Sequence, residues 1–390
     1  MADPTGRPLH KLHRRGDAPV IEEASVVTII VKPESADCRP GARNPRRRVD
    51  TLGSTHRPGE GQRQRMRAKD MTQMKAVRLH AYGGPEKLVY ENAPRPEPAD
   101  DELLVRVHAA GVNVLDWLLA EGKFEYFPDV PLPWIPGWDI SGVVEAVGPH
   151  VNRFQPGDNV YGMVRLPEPG NAYAEYAAVP ARQVVAKPDN LDHTQAAAVP
   201  MTGLTAWRAL FDEAGLERGQ RVLIHAASGG VGHLAVQFAK ARRAQVVATA
   251  SGPNRDYVKS LGADEFVDYR EQRFEKTVAP VQVVIDTIGG EVQERSLDVL
   301  EQGGVLVTLP ADVPAEVKAE ADRRGIRTRH FSVEPNADTL AEISRLIDNG
   351  EVRPSVSAVY PLAEAQAAQR EGQAGHVRGK LVLDATTVAT

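Results

Sequence analysis

Residues 221–240 constrain the fold more than any other stretch of this sequence. An apolar run at 222–224 leads into a turn of small residues, and apolar residues then recur at helical spacing from Leu234 to Ala239. This order predicts a strand, a tight turn and a helix. The turn fits the pattern A-x-G-x-x-G, and its residues are Ala227, Ser228, Gly229, Gly230, Val231 and Gly232.

The turn meets the physical requirements of a phosphate-binding loop. Gly229 would let the backbone approach a pyrophosphate, and Gly232 would let the helix pack against the strand. The start of the helix offers unpaired N–H groups and the positive end of its dipole to the phosphates. We therefore expect a dinucleotide to bind here and to contact the six turn residues.

Composition excludes several classes of protein. The chain has 390 residues, 42% hydrophobic and 25% charged, which suits a globular protein of two domains. Its apolar runs are far shorter than the ~20 residues of a membrane-spanning helix, and its first residues lack the apolar core of a signal peptide. Cys38 is the only cysteine, which excludes an internal disulfide and a multi-cysteine zinc site. A single cysteine also fits the reducing cytoplasm, where we expect the protein.

Residues 1–73 form a basic leader ahead of the folded pattern. They carry 15 Lys or Arg and 9 Asp or Glu, whereas the remainder has a net charge of −11. Because this stretch is rich in Arg, Pro and Gly and has one short apolar patch, we expect it to be largely disordered. Two alternatives stay open: the arginines at 46–48 contact nucleic acid, or translation starts at Met71 or Met74.

Two kinds of pattern follow the leader. Short strands between Pro and Gly residues predict a twisted β barrel or sandwich, at residues 74–79, 88–91, 102–108, 140–147, 159–163 and 173–179. After a helical stretch at 192–210, strands alternate with helices, which predicts a parallel, doubly wound sheet. We expect its later strands at 245–249, 265–267, 281–285, 305–309 and 326–331, with helices such as 255–261 and 292–300. Helices at 337–349 and 362–371 and a strand at 380–383 follow.

Eight motifs occur in order along the folded part: AAGVNVLDW (109–117), IPGWDISGVVEAVG (135–148), FQPGDNVYG (154–162), VPMTGLTAW (199–207), AASGGVG (226–232), SLGADEFVDY (260–269), VIDTIGG (284–290) and RGKLVL (378–383). In these motifs residues 74–384 resemble the medium-chain dehydrogenase/reductase superfamily and, within it, the zinc-independent quinone oxidoreductase branch. The resemblance implies an α/β protein with a GroES-like β-barrel catalytic domain, residues 74–195 and 336–388. A Rossmann domain with a doubly wound parallel sheet, residues 196–335, would bind NADP. We also expect a homodimer.

The residues at the zinc-ligand positions of that superfamily indicate whether this chain can bind a catalytic zinc. The zinc-dependent branch has a cysteine where this chain has Asn113, and a histidine-glutamate pair where it has Trp138 and Asp139. A catalytic zinc needs three protein N, S or O ligands, but an indole N–H cannot ligate and an amide ligates poorly. The four-cysteine lobe of that branch is also missing. We therefore expect catalysis without metal.

The end of the second strand of the parallel sheet indicates the cofactor. NAD-binding proteins usually carry Asp or Glu there, whereas here Ala250, Ser251 and Arg255 precede the first acid, Asp256. This favours NADPH. The resemblance assigns the 2′-phosphate to Ser251, Arg255 and Tyr269. A solvated Arg255 and a packing role for Tyr269 remain alternatives.

The resemblance also supplies candidates for the reacting end of the cleft. It places Asn113 and Asp116 near the nicotinamide, as catalytic residues, and Thr205 and Lys380 among the cofactor-binding residues. An alternative for Asn113 is that its turn needs left-handed backbone geometry, which Asn tolerates.

No proton donor stands out. Leu118 stands where some quinone reductases carry a tyrosine and close relatives a lysine, and Tyr126 is a weak substitute. His225 ends a strand beside the glycine turn, so we favour a structural or phosphate-adjacent role over proton transfer. Trp117 and Trp138 are expected to line an apolar cleft or to belong to the core.

Two functions are compatible with these features. The first is an NADPH-dependent reductase of quinones or α,β-unsaturated carbonyls, which transfers a hydride without metal. The second is a protein that holds NADPH and uses its basic leader to bind nucleic acid or a partner, with incidental turnover. The intact phosphate turn together with Asn113 and Asp116 favours the enzyme.

Overall fold

The computed structural model describes residues 72–123 and 130–387. The strands are β1 (Gln73–Leu79), β2 (Leu88–Pro94), β3 (Glu102–Gly111), β4 (Asp139–Val147), β5 (Asn159–Met163), β6 (Tyr176–Pro180), β7 (Val185–Ala186), β8 (Arg221–Ile224), β9 (Gln245–Ala250), β10 (Glu265–Asp268), β11 (Val281–Asp286), β12 (Leu300–Thr308), β13 (Arg327–His330), β14 (Val356–Pro361) and β15 (Lys380–Asp384). The α-helices are α1 (Val114–Ala120), α2 (His193–Ala197), α3 (Pro200–Trp207), α4 (Gly232–Ala241), α5 (Arg255–Ser260), α6 (Phe274–Thr277), α7 (Glu291–Ser296), α8 (Ala315–Arg323), α9 (Ala337–Asp348) and α10 (Ala365–Ala374).

Six parallel strands form the sheet that carries the glycine turn. Their order is β10-β9-β8-β11-β12-β13, so the chain winds outward from β8 to β10 and then outward on the other side from β11 to β13. This is the strand order of a dinucleotide-binding Rossmann sheet, and its ligands bind at the carboxyl ends of the strands where the winding reverses, here β8 and β11. The side chains of β8 at 222–224 are fully buried, as a central strand covered on both faces requires. The predicted doubly wound sheet is confirmed.

A second large sheet combines early and late parts of the chain. Its order is β14-β15-β3-β4-β5-β7, and β6 pairs with β3. The late strand β15 runs antiparallel to β3, with Val382 opposite Gly111. This register brings Lys380, at the start of β15, next to Asn113, which lies just beyond the end of β3. Two residues 267 positions apart in sequence therefore meet at the candidate site.

Some predicted elements differ from the observed ones. The helix expected at 292–300 is wrong at its end, because α7 stops at Ser296 and residue 300 already belongs to β12. Sheet pairing decides this boundary: Val281 N–H donates to Val299 O at 2.8 Å, and Val281 lies opposite Leu300. The helical stretch at 192–210 divides into α2 and α3, and Pro200 begins the second helix, where its missing N–H costs no hydrogen bond.

The described residues include no helix with both the length and the apolar character needed to cross a membrane.

Candidate active site and dinucleotide cleft

The glycine turn lies between β8 and α4, and each glycine in it has a different surrounding. A Cβ added at Gly232 would lie 2.3 Å from Ala226 O and 2.7 Å from Ala227 Cα, so only glycine allows the helix to pack this closely on the strand. A Cβ at Gly229 would meet only Ala226 O, at 3.3 Å, so its other sides are open. Gly232 therefore serves packing, whereas the open side of Gly229 leaves room for a ligand against the backbone.

Two buried histidines hold this turn and its strand in place. His233 Nε2 accepts a hydrogen bond from Ser355 N–H at 3.2 Å, so its Nδ1–H donates to Gly229 O at 2.9 Å. His225 Nδ1 and Nε2 lie 3.0 Å from Thr249 Oγ1 and 3.1 Å from Ser296 Oγ. Burial lowers the pKa of His233 to about 4 and that of His225 to about 3, so both rings are neutral at pH 7. Their geometry gives them structural roles.

Residues of the C-terminal segment and of α3 lie against Gly230 of the turn. A Cβ at Gly230 would lie 3.2 Å from Lys380 Cδ and 3.3 Å from Thr202 Cγ2. Gly379 N–H donates to Ser228 O at 2.9 Å, which ties the start of β15 to the turn. Thr205, one turn of α3 beyond Thr202, is half-buried, and its hydroxyl donates to Met201 O at 2.7 Å.

The carboxyl ends of β9 and β10 carry the residues predicted to hold the 2′-phosphate. Ser251 follows β9 and accepts a hydrogen bond from Asn254 Nδ2 at 3.0 Å. Arg255 begins α5, is exposed, and lies with its guanidinium 4.5 Å from the centre of the Phe266 ring. Tyr269 follows β10 with 45% of its surface exposed. Arg255 and Tyr269 are therefore accessible at this edge of the sheet, whereas Ser251 is buried.

Sequence reasoning did not single out Arg378, which joins this group from the other end of the chain. Its Nε donates to Asn254 Oδ1 at 2.5 Å and its Nη2 donates to Pro253 O at 2.8 Å. Arg378 belongs to the motif RGKLVL, but 124 residues separate it from Asn254 and no local pattern pairs the two.

Asn113 lies between β3 and α1 and begins that helix. Its φ is −127° and its ψ 155°, so the alternative of left-handed geometry is wrong. Its N–H donates to Asp116 Oδ2 at 2.6 Å, and the same oxygen accepts the Tyr173 hydroxyl at 2.6 Å. Asp116 is fully buried, and burial raises the pKa of its carboxyl to about 7. Asp116 thus fixes the start of α1 and faces the interior of the protein.

The side-chain amide of Asn113 is held at both ends. Lys380 Nζ donates to Asn113 Oδ1 at 2.5 Å, and Asn113 Nδ2 donates to Asp139 Oδ2 at 3.0 Å. The other oxygen of Asp139 accepts Met201 N–H at 2.9 Å. Burial raises the pKa of Asp139 to about 6 and lowers the pKa of Lys380, while the opposite charge of each partner acts against these shifts.

The residues at the metal positions of the zinc-dependent branch are engaged in other bonds. Trp138 is fully buried and its indole N–H donates to Glu168 O at 2.8 Å. Within residues 72–123 and 130–387, no group of three or more His, Cys, Asp or Glu side chains is placed to hold a metal ion.

The remaining predicted residues divide between core and surface. Leu118 is buried, and Trp117 is half-buried beside Gly372 of α10. Trp138 belongs to the core, in agreement with one of its two expected roles. Tyr126 lies outside the described residues.

Comparison with known proteins assigns the family. Residues 99–189 match the model of the alcohol dehydrogenase GroES-like domain, and residues 261–383 match that of the zinc-binding dehydrogenases. A quinone oxidoreductase of Sus scrofa is 33% identical over 327 residues, which cover 80% of this chain and 97% of that protein. A chloroplastic NADPH-dependent alkenal/one oxidoreductase of Arabidopsis thaliana is 34% identical over 321 residues, covering 80% and 79%.

A solved structure agrees with this assignment. The quinone oxidoreductase from Coxiella burnetii superposes with a TM-score of 0.76 at 35% identity, over 80% of this chain and 99% of that one. The predicted fold, a GroES-like barrel domain with a Rossmann domain, is thereby confirmed. The chain is an oxidoreductase that belongs to the quinone oxidoreductase-like family of the medium-chain dehydrogenase/reductase superfamily.

Proposed function

We propose that this protein uses NADPH to reduce quinones or α,β-unsaturated carbonyls by hydride transfer without a metal ion. The observation that carries the proposal is the position of Lys380, whose stem lies against Gly230 of the glycine turn and whose ammonium binds Asn113. The dinucleotide turn and the candidate reacting end of the cleft are thus neighbours. The substrate classes are those in the names of the Sus scrofa and Arabidopsis thaliana relatives.

The residues present fit a dinucleotide cofactor. Gly229 leaves its backbone open to a pyrophosphate, and the ten-residue helix α4 directs its N-terminus and dipole toward the same place. Ser251, Arg255 and Tyr269 offer two hydroxyls and a cation at the ribose end. Arg378 adds a second cation there. No Asp or Glu follows β9 in the sequence before Asp256, a pattern suited to the extra phosphate of NADPH. The carboxyl of Asp268, at the end of β10, lies beside Gly252 and accepts Arg270 N–H at 3.0 Å.

Bound NADPH would supply the hydride, and this chain's residues would bind and orient the reactants. We assign the nicotinamide end of the cleft to Asn113, supported by Asp116 through its bond to the Asn113 N–H. Hydride addition leaves an enolate or hydroquinone oxygen, which solvent or a side chain would protonate. Tyr173 is not a candidate for this proton, since burial and the neighbouring Asp116 raise its pKa well above the usual value.

Metal independence follows from donor chemistry in this proposal. Asn113 offers an amide that Lys380 and Asp139 already engage, and Trp138 has no lone pair to offer a metal. We further propose a homodimer in the cytoplasm, with domain boundaries at residues 74–195 plus 336–388 and 196–335.

A spectrophotometric assay tests the function. Purified protein is mixed with NADPH or NADH and a series of small quinones and enones, with and without EDTA, and the loss of absorbance of the reduced cofactor is followed. We expect turnover with NADPH that EDTA leaves unchanged, and no stoichiometric zinc by metal analysis. One bound zinc per chain, or activity that requires zinc, would contradict the metal-free mechanism.

A further inference from the structure

We propose that Lys380 is a positioning residue, whose buried ammonium fixes the Asn113 amide in a single orientation beside the dinucleotide turn. This inference rests on the proposed function, which assigns Asn113 to the reacting end of the cleft. It gives Lys380 a task different from that of a direct phosphate ligand.

The hydrogen bonds allow only one orientation of the amide. Lys380 Nζ donates to Asn113 Oδ1 at 2.5 Å and also to Val112 O. At the other end Asn113 Nδ2 donates to Asp139 Oδ2 at 3.0 Å. An ammonium can only donate and a carboxylate can only accept. A flipped amide would point its NH₂ group at the Lys380 ammonium and its oxygen at the Asp139 carboxylate. Lys380 and Asp139 together therefore select the orientation observed.

The surroundings of Lys380 explain why its charge is tolerated in the core. Lys380 and Asn113 are each 4% exposed, and Asp116 and Asp139 are fully buried. A buried ammonium is costly unless it is paired and hydrogen-bonded. Asp139 provides the opposite charge, while Asn113 and Val112 provide the acceptors. The ammonium is therefore held at this place by three groups from two segments, residues 112–113 and the start of β4.

The stem of Lys380 connects this cluster to the cofactor turn. Lys380 Cδ lies 3.2 Å from the position that a Cβ would take on Gly230. The preceding residue, Gly379, donates its N–H to Ser228 O, and Lys380 N–H donates to Ser355 O, both at 2.9 Å. The stem of Lys380 therefore lies against the turn, Ser355 and the bond of Gly379 to the turn hold its backbone, and its ammonium fixes Asn113. This sets the amide relative to a cofactor bound at the same turn.

Lysine variants separate positioning from phosphate binding. In Lys380→Met the stem is kept and the ammonium is lost, so the amide loses the partner that orients it. We expect kcat to fall about ten- to a hundredfold, the range of a lost charge-assisted hydrogen bond, while the Kd for NADPH in fluorescence titration stays unchanged. Lys380→Gln keeps a donor without the charge and should lose less kcat. It also serves if the methionine variant fails to fold.

Lys187→Met is the matched control. Lys187 lies in the barrel sheet beside β7, and its ammonium donates to the carbonyls of Pro188 and Leu191, so the variant removes a comparable bond away from the cleft. Its kcat and Kd should equal those of the unchanged protein. A rise in the Kd for NADPH in Lys380→Met as large as the fall in kcat/KM would make Lys380 a phosphate ligand and overturn the proposal.

A cofactor-free experiment tests the contact itself. Free energies of unfolding in urea are measured for Lys380→Met, Asn113→Ala and the double variant. We expect the double variant to lose clearly less stability than the two single losses together, because each single variant already breaks the shared bond. Additive losses would overturn the proposal. If none of the quinones or enones tested supports oxidation of NADPH by the unchanged protein, the proposed function fails. The unfolding energies of the three variants still decide whether Lys380 holds Asn113.

Discussion

At the scale of single residues, burial decides what each candidate can do. Asp116 is expected near the nicotinamide, and the structure shows its carboxyl inside the core with Asn113 N–H and the Tyr173 hydroxyl bonded to one oxygen. The other oxygen, Oδ1, is buried with no hydrogen-bond partner among the described residues. An ionised carboxylate is unfavourable in such a place, which is why burial raises its pKa to about 7.

The raised pKa of Asp116 predicts a pH-dependent stability. Folding raises the pKa from 3.8 to about 7, so the folded state binds the proton more tightly and the protein loses stability as pH rises through this window. Asp116→Asn cannot ionise and keeps an acceptor for Asn113 N–H. From pH 5 to pH 7 the free energy of unfolding of the variant should rise by roughly 2 to 3 kcal/mol relative to that of the unchanged protein. Urea unfolding of both proteins at several pH values measures this; a difference that does not vary with pH would show that the carboxyl is not protonated on folding.

Arg255 is the residue whose charge we expect to select NADPH. It is exposed at the start of α5 beside Ser251, and it stacks over Phe266. Loss of one charge-assisted bond costs about 1.5 to 3 kcal/mol, so Arg255→Ala should raise the Kd for NADPH roughly ten- to a hundredfold and leave that for NADH nearly unchanged. Arg323→Ala, which removes another exposed arginine of the same domain, is the control. Equal losses for both cofactors would show that Arg255 supports the fold instead.

At the scale of elements, the glycine turn makes two separable contributions. Gly229→Val places a side chain on the open side of the turn and should abolish NADPH binding with a modest change in Tm. Gly232→Val forces a clash with the backbone of Ala226 and Ala227, so it should lower Tm strongly as well. Thermal unfolding and fluorescence titration of both variants measure this. Normal NADPH binding by Gly229→Val would contradict the assignment of the glycine turn as the dinucleotide-binding site.

The elements also show where sequence reasoning reaches its limit. The strand, turn and helix around Gly229 could be predicted because each has a local signature, and β8 and α4 lie where the pattern indicates. The helix α1 and the strand β14 were missed. Strand β14 pairs in parallel with β15, and half-buried residues alternate with more exposed ones along it, so its apolar signal is weak. The end of α7 was misplaced because pairing with β11 overrides helical spacing at residue 300.

The candidate site was predicted less completely than the fold for the same reason. Asn113, Ser251 and the turn glycines belong to local motifs, so the sequence could indicate them. The bonds of Lys380 to Asn113 and of Tyr173 to Asp116 span 267 and 57 residues. Such pairs depend on strand register in the folded sheet, and residue spacing along the chain does not predict that register.

At the scale of the whole molecule, the described part has three sheets: the six-stranded sheet, the seven-stranded sheet and the pair β1-β2. Strand β1 begins at Gln73 and pairs with β2 along its full length, and Thr72 O accepts Arg95 N–H at 2.9 Å. We therefore expect deletion of residues 1–70 to leave Tm and turnover unchanged. A large fall in Tm would show that the leader packs on the folded body. Salt-sensitive nucleic-acid binding that disappears with the deletion would support the alternative function of the leader.

Transfer of deuterium tests the central claim most directly. Zinc-free protein is incubated with an enone and NADPH that carries deuterium at both positions of C4 of the nicotinamide, and the product is analysed by NMR and mass spectrometry. Gly229→Val serves as the control without cofactor binding. The account predicts one deuterium on the carbon β to the carbonyl of the product, at a rate that EDTA does not change. A product without deuterium, or transfer only after zinc is added, would contradict it.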